Sequence, residues 1–79
     1  MKEEIKSLIE EILNIKFDKE NESLKENGVD SLMLIKIIIG LEEKYNIIFE
    51  DNDLYIKKFD TLDDLVACVV KKTDEKYHD

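Results

Sequence analysis

Ile5, Leu8, Ile9, Ile12 and Leu13 recur at helical spacing with Glu3, Glu4, Glu10 and Glu11 between them, which predicts an amphipathic helix over about residues 3–15. From Lys16 to Val29 the period is lost and the chain is too polar for helix. Phe17, Leu24 and Val29 are nevertheless spaced to pin this loop onto a core as an ordered connector. The period returns from Ser31 to about Tyr45, with Asn46 as a left-handed stop. A short segment near Asp53 to Lys57 follows, and Thr61-Leu62-Asp63-Asp64 opens a last helix with a threonine cap and an acid at the third helical position. Leu62, Leu65, Val66 and Val69 give that helix its buried stripe. Residues from about Thr73 onward read as a charged tail, and no internal repeat is expected. The pattern predicts an all-α, single domain over residues 1–79, structured over about 3–72. It is a small four-helix bundle, three main helices plus one short helix, with a long first loop.

The second helix carries more apolar residues than one face needs. At roughly 100° per residue, Leu34, Ile37, Ile38, Leu41 and Tyr45 form a stripe sufficient to face a core. Leu32, Ile35 and Ile39 lie on the other side. This second stripe is either covered by the loop and the short segment or exposed for a partner, with Ile35 the most covered of the three.

Composition narrows the function. A chain of 79 residues, 43% hydrophobic, builds one small core and no deep, walled substrate cavity. The net charge of −8 and isoelectric point near 4.6 exclude nucleic acid, because all twelve basic residues are lysines scattered among acids. Acidic excess favours encounter with basic patches on other proteins and opposes self-association, so a monomer is expected. Cys68 sits among Val66, Ala67, Val69 and Val70 and reads as a small core residue. The N-terminus lacks a signal peptide's apolar core, and the longest apolar run, around Ile37 to Leu41, is too short for a bilayer, which leaves the cytoplasm and no membrane.

Several candidate sites fail. Asp51-Asn52-Asp53 suggests a calcium loop, but the required central glycine is Ile56 and the twelfth position is Leu62. His78 has no companion ligands, so neither a metal site nor a catalytic residue is assigned. The acid pairs Glu42/Glu43 and Asp63/Asp64 read as a solvated face and a helix start. One feature remains: Gly28-Val29-Asp30-Ser31-Leu32 puts a serine hydroxyl at a helix N-terminus, where unpaired N–H groups and a partial positive charge stabilise an attached anion. Gly28 removes a side chain beside the approach and Asp30 supplies a carboxylate next to the hydroxyl. Both Asp and Ser are also ordinary helix caps.

From about Ile5 to Val70 the chain resembles the phosphopantetheine-dependent carrier proteins, the acyl and peptidyl carriers. The resemblance rests on Gly28-Val29-Asp30-Ser31-Leu32 with its following helix, on Leu41-Glu42-Glu43-Lys44-Tyr45-Asn46-Ile47, and on Phe59-Asp60-Thr61-Leu62-Asp63-Asp64-Leu65. It implies that a phosphopantetheinyl transferase attaches 4′-phosphopantetheine from coenzyme A to Ser31, with Gly28 and Leu32 flanking and Asp30 helping to hold the transferase's magnesium. The arm's thiol would carry acyl, aminoacyl or peptidyl cargo as a thioester, presented by a non-catalytic chain to adenylating or ligase, condensing and tailoring enzymes.

Carriers of fatty acid synthesis generally show acids just after the modified serine, whereas the matching positions here are Met33 and Lys36. The expected partner face is therefore Leu32, Met33, Ile35, Lys36 and Ile39, with Glu42 and Glu43 further along the helix. This departure points to a free-standing carrier of a specialised nonribosomal peptide or polyketide pathway. An acyl carrier of fatty acid synthesis is the alternative, and an acidic helical interaction module, in which Ser31 only caps the helix, is the third reading.

Overall fold

In the computed structural model, which describes residues 1–50 and 59–77 with side chains through residue 74, three helices pack around one core. They are α1 (Lys2–Leu13), α2 (Ser31–Tyr45) and α3 (Leu62–Tyr77). The short helix expected near Asp53 to Lys57 lies outside the described residues. The apolar stripes meet as their spacing requires: Ile5 and Ile9 of α1, Leu34, Ile37, Ile38 and Leu41 of α2, and Leu62, Leu65 and Val69 of α3 are all buried. Each such side chain contributes about 1.5–3 kcal/mol by leaving water. Val66, Leu8 and Tyr45 pack at the margins of this cluster. Gly40 marks a close approach of α1 to α2, since a Cβ there would overlap Ile12 Cδ1.

Helix ends differ from the sequence expectation in two places. α1 stops at Leu13 rather than near 15, because Asn14 turns left-handed at φ 55° and ψ 49°. α3 runs on to Tyr77, so the charged segment from Thr73, expected as a tail, begins as the helix's last turns, with Thr73 Oγ1 donating to the Val69 carbonyl at 2.7 Å.

The stop after α1 recurs after α2, where Asn46 has φ 53° and ψ 50°. In α1 the N–H groups of Asn14 and Ile15 both close on the Glu10 carbonyl, and in α2 those of Asn46 and Ile47 both close on that of Glu42. Seven residues on, the Phe17 N–H donates to Glu10 Oε2 at 2.8 Å and the Phe49 N–H to Glu42 Oε2 at 2.9 Å. The residues are Glu-Glu-Ile-Leu-Asn-Ile-Lys-Phe and Glu-Glu-Lys-Tyr-Asn-Ile-Ile-Phe, with both phenylalanines buried. The chain thus does contain a repeat, an eight-residue helix terminator used twice.

The first loop is ordered, with Phe17, Leu24 and Val29 buried. Asn27 organises it: its Nδ2 donates to the carbonyls of Asn21 and Ser23 at 2.8 and 2.7 Å, and its Oδ1 accepts from the Asp18 N–H at 3.0 Å. The loop is stitched to the entry of α3 by Leu24 N–H to Asp60 carbonyl (2.9 Å) and Leu62 N–H to Glu22 carbonyl (3.0 Å). Lys2 Nζ adds a clasp, 2.9 Å from both Glu22 Oε1 and Asp63 Oδ1, and these partners, Glu22 first, raise its pKa.

The capping box at α3 forms as read. Asp64 N–H donates to Thr61 Oγ1 at 3.3 Å, while Asp64 Oδ2 accepts from the N–H groups of Thr61 (3.0 Å) and Asp60 (2.8 Å). These backbone donors, Thr61 and then Asp60, hold the Asp64 carboxyl below its ordinary range.

Candidate functional site

The approach to α2 is set by two residues with separate tasks. Gly28 has φ +88°, a conformation that strains any L side chain, yet a Cβ there would meet nothing within 4 Å. Its positive φ lets the backbone turn into α2, and no packing neighbour requires the missing side chain. Asp30 is the cap: Oδ1 accepts from the Met33 N–H at 2.8 Å, and its carbonyl accepts from Leu34 N–H at 2.9 Å. Val29 and Leu34, the positions of a hydrophobic staple, are both buried.

Capping by Asp30 leaves Ser31 as the first helical residue, exposed, its hydroxyl without a hydrogen bond to any described residue. The backbone N–H groups of Ser31 and Leu32 likewise have no described partner, which leaves two donors at the positive end of α2 near the hydroxyl. Beside Ser31 lies an open hollow. Val29, Asp30 and Ser31 form one side, Ser23, Lys25 and Glu26 of the first loop another, and Phe59, Asp60 and Thr61 at the entry of α3 the third. Sequence reading missed Lys25 and Glu26 as neighbours of the serine, because a polar loop gives no periodic signal of which way its side chains lie.

Along α2 the second apolar stripe is exposed: Leu32 is 65%, Ile39 50% and Ile35, the most covered, 42% accessible. Lys36 and Glu43 are exposed with them. Met33 is half-buried against the core, and Glu42 is half-buried with one carboxylate oxygen taken by the Phe49 N–H. A further exposed apolar residue, Ile48 (81%), stands between buried Ile47 and Phe49, an alternation too short to mark an element in the sequence. Among the described residues, no helix is long and apolar enough to cross a membrane and no three metal-ligating side chains come together.

Comparison with known proteins bears on this arrangement. No curated protein matches the chain. Two solved structures are similar: an acyl carrier protein from Thermotoga maritima, 25% identical over 94% of this chain and 87% of that one with a TM-score of 0.78, and a chain in the structure of the ishigamide ketosynthase/chain length factor, 25% identical over 91% and 92% with a TM-score of 0.73. The family model for the phosphopantetheine attachment site matches residues 3–69, a span that runs from α1 through the hollow and the first half of α3. On that match the chain belongs to the phosphopantetheine attachment site family and is a phosphopantetheine-dependent carrier protein.

Proposed function

We propose that Ser31 carries the 4′-phosphopantetheine, and the observation that supports this most directly is its exposed, unbonded hydroxyl at the first position of α2, inside the matched span. The residues present fit such a group. Asp30 takes over capping and releases the hydroxyl, the free N–H groups of Ser31 and Leu32 favour an anion, and the hollow gives an arm room to leave. In loading, Ser31 Oγ bonds to the phosphorus of coenzyme A's phosphopantetheinyl group, loses its proton, and displaces adenosine 3′,5′-bisphosphate. We assign to Asp30, whose Oδ1 caps the helix, the further part of helping to hold a transferase's magnesium through its second carboxylate oxygen. When bound, the group supplies a thiol that carries acyl cargo as a thioester. The chain's own part is presentation rather than catalysis, in the compartment where coenzyme A is available, the cytoplasm.

Partner choice rests on the outer face of α2, formed by Leu32, Ile35, Lys36, Ile39 and Glu43, with Met33 at its edge. An apolar face with a lysine near its start suits enzymes without a basic patch, since Lys36 opposite such a patch costs up to about 1 kcal/mol. This favours a peptide or polyketide type of pathway, served by a ligase or adenylating enzyme, over fatty acid synthesis. The likeness to a chain in the ketosynthase/chain length factor structure supports a condensing enzyme among the partners.

Treatment with coenzyme A and a broad-specificity transferase is expected to add one phosphopantetheine by intact mass, and none to Ser31→Ala. Modification of Ser31→Ala would refute the site. On the loaded protein, efficient malonyl transfer and elongation by fatty acid synthase enzymes would refute the pathway, and a gain of that activity in Met33→Asp with Lys36→Glu would assign these positions to partner choice.

A further inference from the structure

We infer that Lys25 is a positioning residue whose ammonium pairs with the phosphodiester on Ser31, an inference that rests on Ser31 being the attachment residue. Lys25 and Ser31 line the same hollow, and Lys25 is the one base among the described residues that do so. The charged groups it faces there are Glu26, Asp30 and Asp60. A phosphodiester at Ser31 adds a fourth negative charge to that wall. The two free N–H groups at the start of α2 oppose it with partial charge only, and Asp30 stands next to it in the chain. Without a full positive charge the hollow would repel the group it is shaped to receive.

Lys25 is suited to supply that charge. Its ammonium has no ion pair or hydrogen bond to any described residue, so among these residues it is not already committed to a carboxylate. Its backbone, in contrast, is held in register with Ser31: its carbonyl accepts from Gly28 N–H at 3.0 Å, and Val29 N–H closes on the Leu24 carbonyl at 2.9 Å. A fixed base with a flexible four-carbon stem is the combination that lets a lysine follow a mobile anion. Lys36 cannot take this role, since it lies five residues beyond Ser31, roughly 140° around the helix on the outer face.

The test compares wild type, Lys25→Gln and, as a control from the same loop but not on the hollow, Lys19→Gln, each with and without the arm as verified by intact mass. Lysines are acylated under single-hit conditions with a water-soluble activated ester, and sites are quantified by peptide mass spectrometry. Loading is expected to slow labelling at Lys25 by roughly two- to fivefold, the range of an exposed ion pair, to leave Lys19 unchanged, and to lose this effect in high salt. The shift in thermal midpoint from unloaded to loaded protein should be smaller in Lys25→Gln than in wild type or Lys19→Gln. Equal labelling of Lys25 in both forms, or an undiminished shift in Lys25→Gln, overturns the inference while Ser31 stands. Failure of wild type to accept the arm overturns both.

Discussion

Gly28 and Asp30 act on the same turn by different means, one through backbone conformation and the other through a side-chain acceptor. Because a Cβ at residue 28 meets open space, Gly28→Ala is expected to cost only the strain of positive φ, about 1–2 kcal/mol by urea denaturation. Gly28→Asn should cost less, since Asn tolerates that region. Equal costs would contradict a conformational role. At this scale the sequence revealed the serine and its helix start but not the division of tasks: Asp and Ser cap by the same chemistry, and only backbone geometry decides that Asp30 caps and Ser31 is left free. Asn27, the hub of the first loop, was invisible for a related reason. One amide among many polar residues has no spacing to betray that three of its hydrogen bonds converge.

The three helices and the faces they bury were legible because their periods run for several turns, whereas their ends depend on single residues. Asn46 marks its stop in the pattern while Asn14 does not, because the apolar period continues to Ile15; the likeness of the two terminators lies in residues 10–17 and 42–49. The far end of α3 runs past the apolar stripe, since charge does not stop a helix and Thr73 to Tyr77 contains no Gly, Asn or Pro. Both terminators lean on a glutamate that accepts a backbone N–H, so Glu10→Ala and Glu42→Ala should each cost about 1–3 kcal/mol by leaving that donor unpaired. The Gln variants, which keep an acceptor oxygen, should cost less in chemical denaturation. If Ala and Gln cost the same, the carboxylate is not what secures the turn. The exposure of Leu32, Ile35 and Ile39 was likewise beyond sequence, because the period shows that a second stripe exists but not what covers it.

For the molecule as a whole, charge and local hydrogen bonding set opposing pH dependences. Acidification from neutrality relieves the self-repulsion of a net −8 as the isoelectric point of 4.6 is approached. Asp64, with its pKa lowered, contributes stability that is complete above the ordinary carboxylate pKa and is lost as pH falls through its lowered folded value. On the alkaline side Lys2, raised by Glu22 and Asp63, and Tyr45, raised by burial and by Glu4, contribute fully below their unfolded values of about 10. Those contributions are lost as pH rises through the raised ones. Stability to urea is expected to peak at roughly pH 5 and to fall below about pH 4, with Asp64→Asn flattening the acid limb alone. A maximum above pH 8 would contradict this balance.

The paired terminators also bear on how fast the molecule assembles. Each reversal of the chain is written within eight residues, so α1 and α2 find their ends from neighbours and need no distant partner. The entry of α3 is different: Leu62 waits on Glu22, forty residues back, and Asp63 on Lys2. Because closing a long loop must precede the contacts that reward it, the docking of α3 onto the first loop is expected to come late in folding, and that same event builds the hollow beside Ser31.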